Sequence, residues 1–193
     1  MQSDKNTILI GNPNNFSIAY SLNDDYAGKW LLGKVCYIIN DIVIGDWESG
    51  TTLCTIVSDL SQMHGDSRNE YYHGRKEDGF FTMPIPELLR HIHGYKNDKS
   101  SPLYSIANDR CYARFDITLD DSTMEDWKVY LVEDEKNEDD NSRLARIIVL
   151  KQIGSSKRFE LLFEHYIRNE EFCVAVERAY NDIFMLYERE LKY

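Results

Sequence analysis

The chain contains no apolar run near the ~20 residues that a membrane-spanning helix needs. Its first ten residues, MQSDKNTILI, lack the basic and long apolar stretches of a secretory leader. Both absences predict a chain that stays in the cytoplasm and does not insert in a membrane. Cysteine is sparse: Cys36, Cys54, Cys111 and Cys173 are widely spread, with no C-x-x-C, and each lies in an apolar-rich segment. Such positions suit small buried hydrophobes, so free thiols are expected. No phosphate-binding G-x-x-x-x-G-K-[ST], dinucleotide G-x-G-x-x-G, nucleophile-elbow G-x-S-x-G or zinc-binding H-E-x-x-H occurs. Cations are the scarcer charge, with 22 Lys and Arg against 33 Asp and Glu, a net −11. A nucleic-acid binder needs cations to displace counterions from phosphates, so direct nucleic-acid binding is not expected.

Most of the negative charge is concentrated. Between Asp120 and Asp140 stand ten acids against Lys128 and Lys136, a local balance of −8. Such a run attracts a basic protein and speeds its encounter. The alternative is a solvated loop that maintains solubility. At 193 residues the chain suits one domain with a substantial core, and thirteen tyrosines supply amphipathic surface.

The pattern predicts the following order. Thr7–Ile10 and Phe16–Leu22 are strands around the turn cluster Gly11–Asn15. Gly33–Ile39 and Ile42–Ile44 form a hairpin about Asn40-Asp41, whose turn type stays open without a glycine. A corner at Gly45–Gly50 follows, then a helix capped by Thr51 or Thr52 with Leu53, Ile56, Val57 and Leu60 on one face. Gln62–Gly79 is polar and reads as irregular. Phe80–Met83 touches the sheet, and Pro84 and Pro86 introduce a helix through Glu87–His93. Arg110–Thr118 alternates Cys111, Ala113, Phe115 and Ile117 as a half-buried strand. Trp127–Val132 and Arg143–Leu150 are strands with the acidic loop between them. Arg158–Ile167 suits either a helix or a returning strand; hairpin geometry favours the strand. Asn169 caps a final helix whose stripe is Phe172, Val176, Ala179, Tyr180, Ile183 and Tyr187. The expectation is α+β: a single domain, 1–193, of largely antiparallel β-sheet with packed helices, including a long C-terminal helix.

Candidate chemistry is thin. The histidines are His64, His73, His91, His93 and His165, and the His91-Ile92-His93 pair diverges on a helix. Cys54 with His64 would make a nucleophile and base, but Cys54 lies beside an apolar stripe and suits packing. Asp24-Asp25 and Asp120-Asp121 suit turns. Trp47 either plugs the corner between hairpin and helix or stands out as an anchor for a partner.

The order strand, Asn40-Asp41, strand, Gly45-Asp46-Trp47, Gly50-Thr51, amphipathic helix resembles the opening of immunity-protein family forty-two. That family belongs to bacterial polymorphic-toxin and contact-dependent growth inhibition systems, where CdiI-type proteins have the same role. Phe172 and the run Ala175–Ile183 are similar to that family's closing helix, so the likeness covers the first third and last fifth of the chain. It implies a non-enzymatic inhibitor that binds the C-terminal domain of a cognate toxin, and it implies no cofactor or metal. Many such toxins are basic nucleases, whose cationic cleft an acidic inhibitor can occlude. Candidate toxin contacts are Glu133, Asp134, Glu135, Glu138, Asp139 and Asp140, with Asp46, Trp47 and Glu48 as a second patch. The competing reading is a small metal-dependent or hydrolytic enzyme using His64, His73 and His91 of the 62–93 segment.

Overall fold

The computed structural model of this chain describes residues 6–68, 75–94, 114–134, 143–154 and 158–192. Strands β1 (Ile8–Asn12), β2 (Phe16–Leu22), β3 (Leu32–Ile39), β4 (Ile42–Ile44) and β5 (Thr51–Thr52) form one antiparallel sheet. Its order is β1-β2-β3-β4, with β5 pairing beside the start of β3. The β3–β4 turn takes the primed geometry, because Asn40 and Asp41 both have positive φ, 52° and 61°. That geometry matches the right-handed twist of the strands. Along β2, alternation sends Phe16, Ile18 and Tyr20 to one face and Ser17, Ala19 and Ser21 to the other, and all six are buried. Gly33 is obligatory beside β2: a Cβ there would stand 2.1 Å from the Ser21 carbonyl oxygen.

Helix α1 (Leu53–Arg68) starts directly after β5, with Leu53, Ile56, Leu60 and Met63 buried. The irregular chain expected from Gln62 is therefore corrected as far as Arg68. Met63 extends the apolar stripe by one further step of three, while Gln62 stays exposed, so a polar sequence hides a helix that packing holds. The short α2 (Ile85–Leu89) begins behind Pro84 and widens into a π-type turn over Arg90–Gly94.

The second sheet is β6 (Trp127–Glu133), β7 (Leu144–Ile153) and β8 (Arg158–Arg168), antiparallel in that order. The strand reading of 158–167 holds. The expected strand over 110–118 does not hold in its described part: residues 116–118 carry one bridge, Asp116 to Tyr130. Phe115 and Ile117 share sequence parity, yet Phe115 joins the cluster of Phe80, Leu88, Tyr130 and Ile148, while Ile117 joins the main core. Residues 110–113 lie outside the described residues.

Helix α3 (Asn169–Leu191) buries Phe172, Ala175, Val176, Ala179 and Ile183. Tyr180 and Tyr187 pack at its margin. Large side chains buried this way contribute about 1.5–3 kcal/mol each. The predicted Asn169 cap is not made. Arg168 occupies the capping position without a side-chain bond, and Asn169 instead donates its backbone N–H to the Arg143 carbonyl at 2.8 Å. Glu170 and Glu171 lie in the first turn as expected, where the helix dipole favours acids.

The result is α+β. One continuous core joins the inner face of the first sheet, α1, α3 and one face of the second sheet. The other face of the second sheet is covered by the 80–92 segment and Phe115. This double coverage explains the near-continuous apolar run of β7. The two sheets meet at Tyr37, whose fully buried hydroxyl donates to the Ile117 carbonyl at 2.7 Å. Tyr37→Phe leaves that carbonyl without its donor and should cost about 1–3 kcal/mol in urea denaturation. A change near zero would show that the bond does not hold the sheets together.

Candidate functional site

The corner between β4 and β5 is built on two turns. Gly45, at φ 115°, presses against helical-turn residue Met124, whose Sδ would lie 3.0 Å from any added Cβ. The Asp46 N–H donates to the Thr123 carbonyl at 2.7 Å. The exposed Asp46 carboxylate accepts from the Ser49 hydroxyl at 2.7 Å and the Glu48 N–H at 3.0 Å. These bonds hold its carboxyl below the usual carboxylate range, the Ser49 hydroxyl foremost. Thr51 donates its hydroxyl to Asp121, which also accepts the Thr123 N–H at 2.9 Å.

Trp47 is 6% exposed and closes the outer face of the first sheet over Ala19, Cys36 and Ile38. It is buried and does not project, but it packs on the sheet face turned away from α1, and not between hairpin and helix as the plug reading had it. Glu48 is 82% exposed and pairs with Lys34 at 3.2 Å, whose ammonium lies 5.8 Å from the Trp47 ring centroid. Of the second candidate patch, then, only Asp46 and Glu48 present charge to solvent.

Glu133 departs from its sequence reading. It is 3% exposed, and it accepts from the Arg75 N–H at 3.2 Å and from Arg143 Nη1 at 3.3 Å. Arg75 Nη1 stands 4.0 Å away, and the same guanidinium lies over the Phe172 ring at 5.2 Å. As the last residue of β6, Glu133 faces inward with its carboxylate committed to two arginines, so it is corrected from surface contact to internal ion pair. Asp134 is half-buried and bonds through its N–H to the Leu144 carbonyl at 2.9 Å. Glu135, Glu138, Asp139 and Asp140 lie outside the described residues.

Among the described residues, the histidines do not converge. His64 stacks on Tyr180 at 5.6 Å between α1 and α3, and His91 meets the edge of Phe80 at 5.5 Å in the second cluster. His165 sits half-buried on β8 opposite Ile147. His73 and the His93 side chain lie outside the described residues. Among the described residues, no three His, Cys, Asp or Glu side chains come together as a metal-holding group. Cys36, Cys54 and Cys173 are free thiols, and Cys111 is not described. Burial pushes the Cys36 thiol up to about 12 and raises that of Cys54 too, against the thiolate a nucleophile needs. Ten residues separate Cys54 from His64, about 15 Å along one helix axis. They do not form a nucleophile–base pair.

A polar cavity of about 270 Å³ opens beside α1, and sequence reasoning did not find it. Asp59, Arg75, Arg114, Asp116 and Asp120 line it from separate parts of the chain, so no local spacing could have announced it. Its charges are mostly spoken for: Arg114 pairs with Glu77 at 2.9 Å, and Asp116 with Lys128 at 3.5 Å. Asp59 is the exception in character. Burial, then the charges of Asp120 and Asp121, raise its carboxyl above the usual range, against the opposing Asp120 N–H at 2.8 Å.

The model of the family described as immunity protein 42 matches residues 8–172, and the chain belongs to that family. The match also runs through the middle of the chain, beyond the first third that carries the resemblance in sequence. It ends at Phe172, short of the Ala175–Ile183 run. No curated protein and no solved structure gives a match. Among the described residues, no helix is long and apolar enough to cross a membrane.

Glu133→Ala takes the buried carboxylate away from Arg75 and Arg143 and should destabilise the fold by about 3–5 kcal/mol in chemical denaturation. A loss under about 1 kcal/mol would mean the pair is solvated in solution. Asp59 binds protons more readily folded than unfolded, so its ionisation subtracts stability as pH rises from about 3.9 through its higher folded value. Asp59→Asn should therefore melt above the wild type at pH 7, with the gap closing in acid. A gap independent of pH would contradict that assignment.

Proposed function

We propose that this chain, acting as one domain, protects its own cell by binding the C-terminal domain of a cognate toxin from a contact-dependent or related polymorphic-toxin system. Membership of the immunity family carries this reading. The target is a basic nuclease, and inhibition is by occlusion without bond-making. The support is electrostatic: a net −11, with an acidic run at 133–140, complements a cleft built to hold phosphates. The chain works in the cytoplasm, where such a toxin arrives and where nucleic acid is its substrate.

The buried Glu133 narrows the acidic contact set to Asp134, Glu135, Glu138, Asp139 and Asp140, with Asp46 and Glu48 as the second patch. Reversal of Glu135, Glu138, Asp139 and Asp140 to lysine should slow association with the toxin domain encoded beside this gene by about tenfold or more at low salt. The difference should shrink as salt screens it. Stopped-flow association rates that do not respond to the reversal would remove the acidic run from the interface.

A further inference from the structure

The toxin-binding reading leaves open where the partner is gripped, and one exposed side chain answers in physical terms. Trp47 and Trp127 are buried, whereas Trp30 is 55% exposed. Trp30 ends a single 3-10 turn, Gly28–Trp30, flanked by Ala27 and Leu31 in the left-handed region at φ 54° and 50°. Side chains with a Cβ seldom adopt that region, so other contacts must hold the loop there. Leu31 is fully buried in the main core. Its N–H donates to the Gly28 carbonyl at 3.0 Å, and its own carbonyl accepts from Leu53 at 3.0 Å. Leu32 N–H donates to Tyr26 at 2.9 Å, and the Tyr26 hydroxyl donates to Glu190 at 3.1 Å. The indole is thus presented by a locked loop, and little ordering remains to be done on binding.

Two residues further along the chain, the 36%-exposed Leu32 lines a groove of about 310 Å³ with Asn23, Gly50, Thr52 and Asp121. Acids rim this patch. Asp24 and Asp25 follow Asn23 and are exposed, Glu48 stands two residues before Gly50, and Asp121 lies in the groove. Among the described residues, the cations of this patch are Lys29, whose ammonium lies 5.5 Å from the Trp30 ring centroid, and Lys34, already paired with Glu48. An exposed tryptophan with an acidic surround complements a protein surface with an apolar recess bordered by basic side chains.

We propose that Trp30 is the anchor by which this chain holds its toxin, its indole filling an apolar recess while a lysine or arginine beside that recess enters the groove toward Asp121. The proposal rests on the toxin-binding reading, and its test separates the two. The probe is the catalytically inactivated toxin domain encoded beside this gene, mixed with the full chain. Acrylamide quenching is read as the difference between wild-type and Trp30→Phe chains, which isolates Trp30 from all other tryptophans. The toxin should shield Trp30 from quenching. Trp30→Ala should weaken binding by about 30-fold or more, with Met185→Ala, at another exposed apolar side chain, within about twofold of wild type. Binding that leaves Trp30 open to quencher, or a Trp30→Ala affinity within about twofold of wild type, overturns the anchor and leaves the inhibitor reading standing. Absence of any binding by the wild type removes both. Shielding of Trp30 by dimerisation of this chain alone, read by light scattering, also overturns the anchor.

Discussion

The Tyr37 hydroxyl, buried and bonded to the Ile117 carbonyl, stands at the seam on which this molecule depends. Two antiparallel sheets share a core without sharing a strand ladder, so something other than backbone pairing must fix their relation. Helices α1 and α3 supply the apolar part by burying their stripes into the same core. The polar part is a short row of clasps: Tyr37 to Ile117, Asp46 N–H to Thr123, and Thr51 to Asp121. Each joins a residue of the first sheet or its corner to the 117–123 segment that leads into β6. A buried donor without an acceptor is costly, so these bonds select one docking of the sheets even where their net contribution is small.

Charge in this chain does two separate jobs. Inside, Glu133 is held by Arg75 and Arg143, and Arg146 joins Glu164 at 2.7 Å while donating to the Phe81 and Met83 carbonyls. Arg146 thereby pins the covering segment to β7. Outside, an unbalanced acidic surface is what remains for a partner to sense. Such a division suits a protein recognised by its shape and field: internal pairs set the shape, and excess negative charge sets the approach. The cavity beside α1 belongs to the internal half of this division, because most of its charged lining is already paired.

Legibility in the sequence followed burial pattern. Strands β2, β3, β4, β6 and β7 could be read because β-branched alternation and bracketing turns agree, and β8 because a return beside β7 is the simplest geometry. The last two turns of α1 are hard to read because Gln62 and His64 look like loop residues, although Met63 is buried and His64 stacks on Tyr180. Alternation misled at Phe115 and Ile117, which bend away to separate clusters once the backbone leaves the extended form. Glu133 looked like the first acid of a loop; nothing local says that two arginines, one of them 58 residues away, enclose it. Trp30 and Trp47 illustrate the same limit. Exposure is decided by what packs over a residue, and the contacts concerned are distant in the chain.

The central claim is that this chain neutralises by occupying a surface, in a fixed ratio, and not by turning anything over. Titration of the chain into its active cognate toxin domain, with residual toxin activity followed to completion, tests it. Residual activity should fall linearly, reach zero at one chain per toxin, and return when the complex is dissociated. Loss of activity at a small fraction of equivalence, growing with time, would contradict it and identify an enzyme.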